Sequence, residues 1–260
     1  LDLANLQSTF SRAYGTAGST PFGTANDYTD ASNVLKILKD NGSPVSENQL
    51  VLNTAAGANF IGKQSAVNAA GTESMLRQGV LLDLAGMPLR ESAQIQNSVA
   101  GTAASATTDD SGYAVGATVI TLASAGTGTI VSGDVISFAG DSEKYVVISG
   151  DADVSGGGTI TLSAPGLRKA IAASATAITV VAAAARNMAF NRSALVLAAR
   201  APARPEEGDM AEDVILITDP RSGLTMEFAM YKGYRKVRYE VGLAWGVKNI
   251  KPEHTALLLG

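Results

Sequence analysis

The chain has 260 residues, of which 46% are hydrophobic but only 5% aromatic, so it can bury a substantial core without a large aromatic pocket. The net charge of −4 excludes a global positive field that would attract nucleic acid. The lack of cysteine excludes disulfides, thiolate metal sites and a cysteine nucleophile, and a single histidine, His254, excludes a histidine-rich zinc site. We therefore expect no metal and no cofactor, and we expect His254 to be an ordinary surface or interface residue.

The first hundred residues mix helix and strand patterns. Thr29 is predicted to cap a helix that runs to Asp40 with one apolar face, and Asn41-Gly42 is predicted to end it. The other predicted elements are a short buried strand at Leu50–Leu52, short helices around Phe60-Ile61 and Met75-Leu76, and a segment from Val80 to Leu84 that leads into the Gly86-Met87-Pro88 turn. This part of the chain is expected to be α+β.

Residues 101–185 differ sharply in composition from the rest of the chain. Gly, Ser, Thr, Ala and Val dominate, and short strand-like runs alternate with glycine-rich turns. The predicted strands are Ala117–Leu122, Gly133–Phe138, Lys144–Ser149, Thr159–Leu162 and Ala177–Val181. The pattern predicts a small all-β, barrel-like domain, and its three basic and seven acidic side chains account for the whole net charge.

Two segments bear on membrane targeting. Leu1–Phe10 has no basic region before an apolar run, so we predict no export signal, and a chain that starts without Met is expected to have lost residues upstream. Ala170–Ala185 carries no charge, but it is too short and too rich in Ala, Ser and Thr to span a bilayer. No membrane partner is expected.

The C-terminal part is predicted to be mostly strand. Met188–Ser193 is typical of a helical turn, while Leu195–Ala199 and Val214–Thr218 are predicted to be strands that rejoin the sheet of the first hundred residues. Further on, apolar residues occupy every second position, at Val237, Tyr239, Val241, Leu243, Trp245 and Val247. This period predicts one very long strand, of roughly 36 Å, with one face buried.

These patterns divide the chain into three parts. Residues 1–100 form the first part of a host α+β domain, residues 101–185 form the inserted β-domain, and residues 186–260 complete the host domain. The host domain is therefore expected to be discontinuous in sequence.

One stretch resembles a phosphate-binding loop. Gly57–Lys63 fits G-x-x-x-x-G-K, but Gln64 stands where the loop needs Ser or Thr for magnesium. Bulky Phe60-Ile61 also lie where the backbone must wrap phosphate. The strand Val214–Thr218 followed by Asp219 could serve as the second nucleotide motif, yet Pro220-Arg221-Ser222-Gly223 is more typical of a β-turn. A nucleotide hydrolase is a remote alternative.

Charged side chains cluster by sign in the last sixty residues. The acidic cluster comprises Glu206, Glu207, Asp209, Glu212 and Asp213, and the basic one comprises Lys232, Arg235, Lys236, Arg238, Lys248 and Lys251. Paired carboxylates could serve glycoside hydrolysis or calcium binding, but the nearby prolines and glycine indicate a solvated loop. The basic cluster could contact DNA phosphates or an acidic surface of a neighbouring copy, for which the 206–213 loop is suitable. We predict no catalytic residue.

Several segments, in order, resemble the major capsid proteins of tailed bacteriophages that have the Hong Kong 97 fold. The resemblance is strongest to the coat proteins of short-tailed enterobacterial phages, which carry an inserted β-domain. The similar segments, which cover most of residues 30 to 255, are Asp30–Pro44, Leu50–Asn53, Gly79–Gly86 with Glu91-Ser92, Gly133–Gly140, Asn187–Arg192, Gly242–Gly246 and Lys251–Glu253. In that family the Asn187–Arg192 phrase usually places the basic residue directly after phenylalanine, whereas here Asn191 intervenes.

The resemblance implies an axial domain, interrupted by the inserted β-domain, and a peripheral domain built partly from the long C-terminal strand. It also implies that the family's N-terminal arm, extended loop and most of its spine helix would precede Leu1. The chain is then expected to be a truncated or proteolysed form that closes a shell poorly.

The function implied by the resemblance is structural: a phage or prophage capsid subunit that forms pentamers and hexamers around the genome. Scaffolding and portal proteins, and packaged DNA bound without sequence specificity, are the implied partners. The implied location is the virion capsid, assembled in the bacterial cytoplasm. Candidate contacts to neighbours or genome are Arg235, Lys236, Arg238, Glu206 and Glu207. An alternative is a carbohydrate- or receptor-binding β-module of a phage tail or cell surface.

Overall fold

The protein is a mixed α+β molecule, built mostly from sheet with few helices. The computed structural model describes residues 3–24, 27–64, 81, 83–204 and 208–260. They form two compact units: a larger one that holds the described residues up to Leu195 together with Asn249–Gly260, and a smaller one, Val196–Lys248. These boundaries differ from those of the predicted three-part division, which stays a prediction.

The elements follow in chain order. The helices are α1 Leu3–Gln7, α2 Thr29–Asp40 and α3 Thr54–Lys63. The strands of the larger unit are β1 Arg12–Gly15, β2 Asn48–Leu52, β3 Leu89–Glu91, β4 Val119–Leu122, β5 Val135–Phe138, β6 Lys144–Ser149, β7 Gly158–Leu162, β8 Ile178–Val180, β9 Arg186–Asn191 and β15 Thr255–Leu259. The remaining strands are β10 Leu195–Arg200, β11 Asp213–Thr218, β12 Thr225–Gly233, β13 Lys236–Gly242 and β14 Ala244–Asn249.

Helix α2 has the predicted bounds and the predicted buried face. Val34 and Leu38 are fully buried, and Gly42 beyond the helix adopts a left-handed φ of +79° that suits glycine. The capping prediction is wrong, because Thr29 is the first helical residue and Tyr28 precedes it without a side-chain capping bond. The carboxylate of Asp27 instead accepts a hydrogen bond from the backbone N–H of Thr29, at 2.8 Å.

The host sheet is centred on β15, whose five residues are all buried. This strand runs parallel to β1 and antiparallel to β9, and β9 pairs in turn with β2, which pairs with β3. The predicted strand at Leu50–Leu52 is confirmed as part of β2. The discontinuous host domain stays a prediction. The predicted helical turn at Met188–Ser193 is wrong, because this segment forms β9. A strand enclosed between two neighbours and covered on both faces has no alternating pattern to reveal it.

All five predicted strands of the inserted segment, residues 101–185, are confirmed as β4 to β8. Their order is β4-β7-β6-β5-β8. Thr107 bridges to Ala177 next to β8, and Thr108 bridges to Leu122 of β4, so the strands form a nearly closed ring. A separate apolar core fills it, with Ile120, Ile136, Tyr145, Ile160 and Leu162 among its members.

The inserted segment joins the host sheet through β1 and β6. Their antiparallel pairing places Arg12 opposite Tyr145, so one continuous sheet links both parts. The side chain of Arg12 is fully buried and its Nη1 lies 2.6 Å from the Glu143 carboxylate of the inserted segment. Its Nη2 donates to Asn41 Oδ1 of the residue after α2, at 3.1 Å. A buried guanidinium needs such partners, because desolvating an unpaired charge is costly.

The structure of the smaller unit contradicts three predictions, which concern the partners of two strands, the length of the C-terminal strand and the burial of its apolar face. Strands β10 and β11 occur as predicted, but they pair with β14 and β12 rather than with the host sheet. The single long strand is two strands, since Leu243 separates β13 from β14 and the two belong to different sheets. The expected burial of the apolar face is also wrong, because its side chains at Val237, Tyr239, Val241 and Trp245 are 49–64% exposed.

Some predictions lie outside the described residues. They are the helix around Met75-Leu76, Val80 and Leu82 of the Val80–Leu84 segment, and Glu206 and Glu207.

The Arg12 junction predicts a specific stability difference. Glu143→Gln removes the nearer of the two carboxylates beside the buried guanidinium, the other being Asp40 at 3.9 Å. It should lower the free energy of unfolding by about 2 kcal/mol, below the range for a fully buried pair because Glu143 is partly exposed. Arg192→Ala is the control, because Arg192 and its partner Glu47 are both exposed and lie outside this network, and such a surface pair is typically worth about 0.5 kcal/mol. Urea unfolding followed by circular dichroism measures both, and equal losses would contradict the account.

Candidate functional site

The three-stranded sheet β11-β12-β13 presents two chemically different faces. Its register pairs Ile215 with Phe228 and Phe228 with Val241, and residues paired directly across strands lie on the same face. The next residues along each strand, Leu216, Glu227 and Gly242, are likewise paired and lie on the opposite face.

One face, which we call the open face, is apolar across all three strands. Its apolar side chains are those of Ile215, Ile217, Met226, Phe228, Met230, Val237, Tyr239 and Val241, and the charged Asp213 and Lys232 lie on the same face, paired with Met230 and Val237. Phe228 and Tyr239 stack with ring centroids 5.6 Å apart, so the face has a rigid aromatic centre. Ile215 on the outer strand is 53% exposed although it is flanked by apolar neighbours. This face is therefore a continuous apolar surface that the chain itself leaves accessible.

The opposite face is partly covered by its own chain. Ala229 at its centre is only 2% exposed, and Glu227 is also buried. Arg204, in the connection after β10, places its Nε 3.3 Å from the Glu227 carboxylate. A Cβ added to Gly242 would come within 3.0 Å of the Pro202 ring, so this glycine allows the connection to approach the sheet closely. Residues 202–204 therefore cover part of one face of the sheet, which makes the two faces different.

An apolar sheet face left open to solvent is a recognised mark of an interaction surface. Monomeric proteins seldom expose contiguous apolar patches larger than a few hundred Å². Strands β11 and β13 are in addition the two edges of this sheet, and edge strands carry unpaired backbone groups that can add a further strand. The open face and the two edges together offer apolar area and backbone hydrogen bonds to a partner.

Two described carboxylates of the acidic 206–213 loop contact their own chain. Glu212 accepts from Lys232 Nζ at 2.6 Å, and Asp209 accepts from the Tyr231 hydroxyl at 2.9 Å. The backbone N–H of Ala211 and this hydroxyl lower the pKa of Asp209, and the same bond to Asp209 raises the pKa of Tyr231. These two carboxylates therefore have partners within their own chain.

The predicted basic residues lie at and beside the β12–β13 hairpin tip. Arg235 occupies the two-residue turn with a left-handed φ of +57°, and its guanidinium carbon lies 5.4 Å from the centre of the exposed Tyr234 ring. Lys236 begins β13 opposite Gly233, and Arg238 contacts the Glu240 carboxylate on the same strand. Arg235 and Lys236 are exposed cations at the end of the hairpin.

The described residues form neither a metal site at the predicted carboxylates nor a phosphate-binding loop at Gly57–Lys63. Glu206 and Glu207 lie outside the described residues, and the part of the chain that is described holds no group of three or more acidic or histidine side chains placed to bind a metal ion. Gly57–Lys63 is part of helix α3 rather than a loop. Lys63 donates to the backbone carbonyls of Thr24 and Asp27, so it secures the preceding connection.

His254 lies in a short 3-10 helix before β15 and is half-buried, with a buried Nδ1 that has no hydrogen-bond partner in the described structure. None of the described helices combines the length and apolar character needed to cross a bilayer.

Sequence reasoning predicted the strand Val214–Thr218 and the alternation from Val237, but not that these two strands pair with β12 to form the open face. The signal for β12 is present, because Met226, Phe228 and Met230 alternate with Glu227 and Ala229. The signal for β11 is weaker, since Val214–Ile217 is an unbroken apolar run in which neither face is marked.

Only the comparison with solved structures found proteins similar to this chain. No family model matches the chain, and no curated protein matches it. Among solved structures, the chain is similar to a chain from Mycobacterium phage Che8, with a TM-score of 0.41 and 13% identical residues. The alignment covers 98% of this chain and 56% of the phage chain, so this chain spans little more than half the length of that neighbour.

The asymmetry of the sheet predicts opposite responses to the same substitution. Ile215→Lys should change the free energy of unfolding by less than about 0.5 kcal/mol, as is usual for an exposed position. Ala229→Lys, next to Phe228 but on the covered face, should cost at least about 3 kcal/mol because it forces a long charged side chain into a filled, buried position. Urea unfolding at low micromolar concentration measures both values. Comparable losses would show that the open face is covered within the chain.

Proposed function

We propose that this chain is a structural subunit of a phage or prophage icosahedral capsid, which acts by associating with copies of itself. The observation that carries the proposal is the open face, an apolar surface of eight side chains on a three-stranded sheet. An enzyme would concentrate its chemistry in a cleft, whereas this chain presents broad sheet surfaces. The ordered resemblance of residues 30 to 255 to phage coat proteins supports the capsid assignment over other self-associating proteins.

In the proposed assembly, the open face of one copy packs against a neighbouring copy. Burial of apolar area stabilises such a contact at about 25 cal/mol per Å² before the costs of association are subtracted. The contact is heterologous, joining two different surfaces, because closed shells require each copy to meet several neighbours. Individual contacts can be weak, since each subunit makes many of them at once.

The charged hairpin tip has a separate role in this proposal. Arg235 and Lys236 extend beyond the sheet and reach an acidic surface of a neighbouring copy or the packaged DNA. Because Asp209 and Glu212 already contact their own chain, Glu206 and Glu207 are the better candidates for the acidic partner of another copy. Such exposed pairs contribute mostly to orientation and association rate.

Substitution of one open-face residue tests the proposal. In the complete gene product that contains this chain, Ile215→Lys should abolish or strongly reduce the formation of shells and capsomers. The reason is that a lysine buried within the contact leaves a charge without water or partner. Electron microscopy counts the particles, and sedimentation velocity gives the distribution of assembled and free subunits.

Leu216→Lys is the matched control. Leu216 is the next residue on the same strand and is 58% exposed, but it belongs to the opposite face. Assembly should be nearly unchanged in this variant. Wild-type protein that stays monomeric at all concentrations would refute self-association, and equal loss in the two variants would refute the assignment of the contact to the open face.

A further inference from the structure

One methionine of the smaller unit, Met210, lies almost entirely in solvent. It is 96% exposed, more than any other large apolar residue in the part of the chain that the structure describes. Its backbone has a left-handed φ of +62°, a conformation that residues other than glycine seldom adopt. An apolar side chain that a strained backbone presents to water adds no burial to its own fold, and it therefore points to a contact with another molecule.

Asp209 holds Met210 in a defined place beside the three-stranded sheet. Its carboxylate accepts the backbone N–H of Ala211 at 3.1 Å and the hydroxyl of Tyr231, on strand β12, at 2.9 Å. These two hydrogen bonds lower the pKa of Asp209, so the carboxylate next to Met210 is charged at neutral pH. The turn thus combines a projecting apolar side chain with a fixed negative charge.

A groove of about 320 Å³ lies elsewhere in the same unit, along the two-stranded sheet of β10 and β14. Four of its six lining residues are alanine or glycine, so little side-chain volume fills it, and Trp245 is 49% exposed. The lining residues are Ala198, Ala199, Arg200, Ala244, Trp245 and Gly246. The described chain therefore leaves open a shallow groove that an apolar side chain can enter.

The charges around Met210 and around the groove have opposite signs. Met210 lies in the 206–213 loop, which contains five acidic side chains and no basic one. The groove has one charged residue, Arg200, which is exposed and has no ion pair with any carboxylate among the described residues. Complementary charges on two surfaces orient one copy against another and disfavour incorrect contacts.

Methionine and the groove also match in their apolar chemistry. Methionine is unbranched and adapts to irregular gaps, and its sulfur makes favourable contacts with aromatic rings such as that of Trp245. Insertion into the groove would remove the apolar side chain from water. Because Met210 is 96% exposed, it does not occupy the groove of its own chain. The occupant of the groove is therefore sought in another copy.

We propose that Met210 of one copy inserts into the β10–β14 groove of a second copy, where Arg200 faces the acidic loop around the methionine. This inference rests on the proposed self-association and names a contact separate from the open face. The contact is heterologous, because it joins two different surfaces. Each copy can offer one surface of each kind, so such contacts can continue around a ring or a shell.

Disulfide trapping between copies tests the contact, and this chain has no cysteine of its own to interfere. Met210→Cys and Gly246→Cys are made separately in the complete gene product, mixed, assembled and oxidised with diamide. Gly246 tolerates the new side chain, since a Cβ added there meets no atom of the surrounding structure within 4 Å. The 210–246 disulfide, mapped by mass spectrometry, should form at least about tenfold faster than a 210–216 disulfide with Leu216→Cys, because a held contact raises the effective concentration of the thiols.

Two further variants test the charge and the methionine separately. Arg200→Glu places a like charge opposite the acidic loop and should lower the yield of particles at least about threefold. Arg221→Glu, the same change in the exposed turn between β11 and β12, should leave the yield unchanged. Met210→Gly relieves the left-handed backbone, so its urea midpoint should be equal to or higher than that of the wild type, while its yield of particles falls.

The trapping result distinguishes this contact from the proposed function as a whole. Particles that form normally but give no 210–246 disulfide above the control level would overturn the contact and leave self-association intact. Wild-type protein that forms no particles would overturn both. If the cysteine variants do not assemble, the yields of Met210→Gly and Arg200→Glu decide, and wild-type yields in both would contradict the contact.

Discussion

The buried guanidinium of Arg12 is the interaction on which the larger unit depends. It lies on β1, the strand that pairs with β15 on one side and with β6 of the inserted segment on the other. A charge in this position is tolerated only if Glu143 and Asn41 converge on it, because its transfer from water is otherwise too costly. The inserted segment is consequently tied to the host sheet by backbone pairing and by charge, although it has a core of its own.

The smaller unit, in contrast, leaves much of its apolar surface exposed to solvent. The larger unit covers both faces of its central strand, as the five buried residues of β15 show, whereas in the sheet β11-β12-β13 one face is partly covered and the other is open. The same apolar chemistry thus stabilises the fold in one unit and is available for association in the other. The open face of the smaller unit is therefore the part of the structure on which the proposed self-association rests.

Local chemistry decided which parts of the fold could be predicted from the sequence. The strands of the inserted segment were predictable because glycine-rich turns mark their ends. Strand β9 was not, since a strand buried on both faces lacks alternation. In the open face, alternation at Val237, Tyr239 and Val241 showed which side chains share a face, but not whether anything covers them. The basic residues were visible, yet the partnership of Lys232 with Glu212 arises only from the pairing of β11 with β12.

The central claim is that the open face meets another copy of the chain, and site-specific crosslinking tests it most directly. A photo-reactive amino acid placed at Val241, on the edge strand of the open face, can be activated in assembled particles and the products mapped by mass spectrometry. The account predicts crosslinks to a second copy, identified by mixing isotope-labelled and unlabelled chains. Crosslinks confined to the labelled residue's own chain would contradict it.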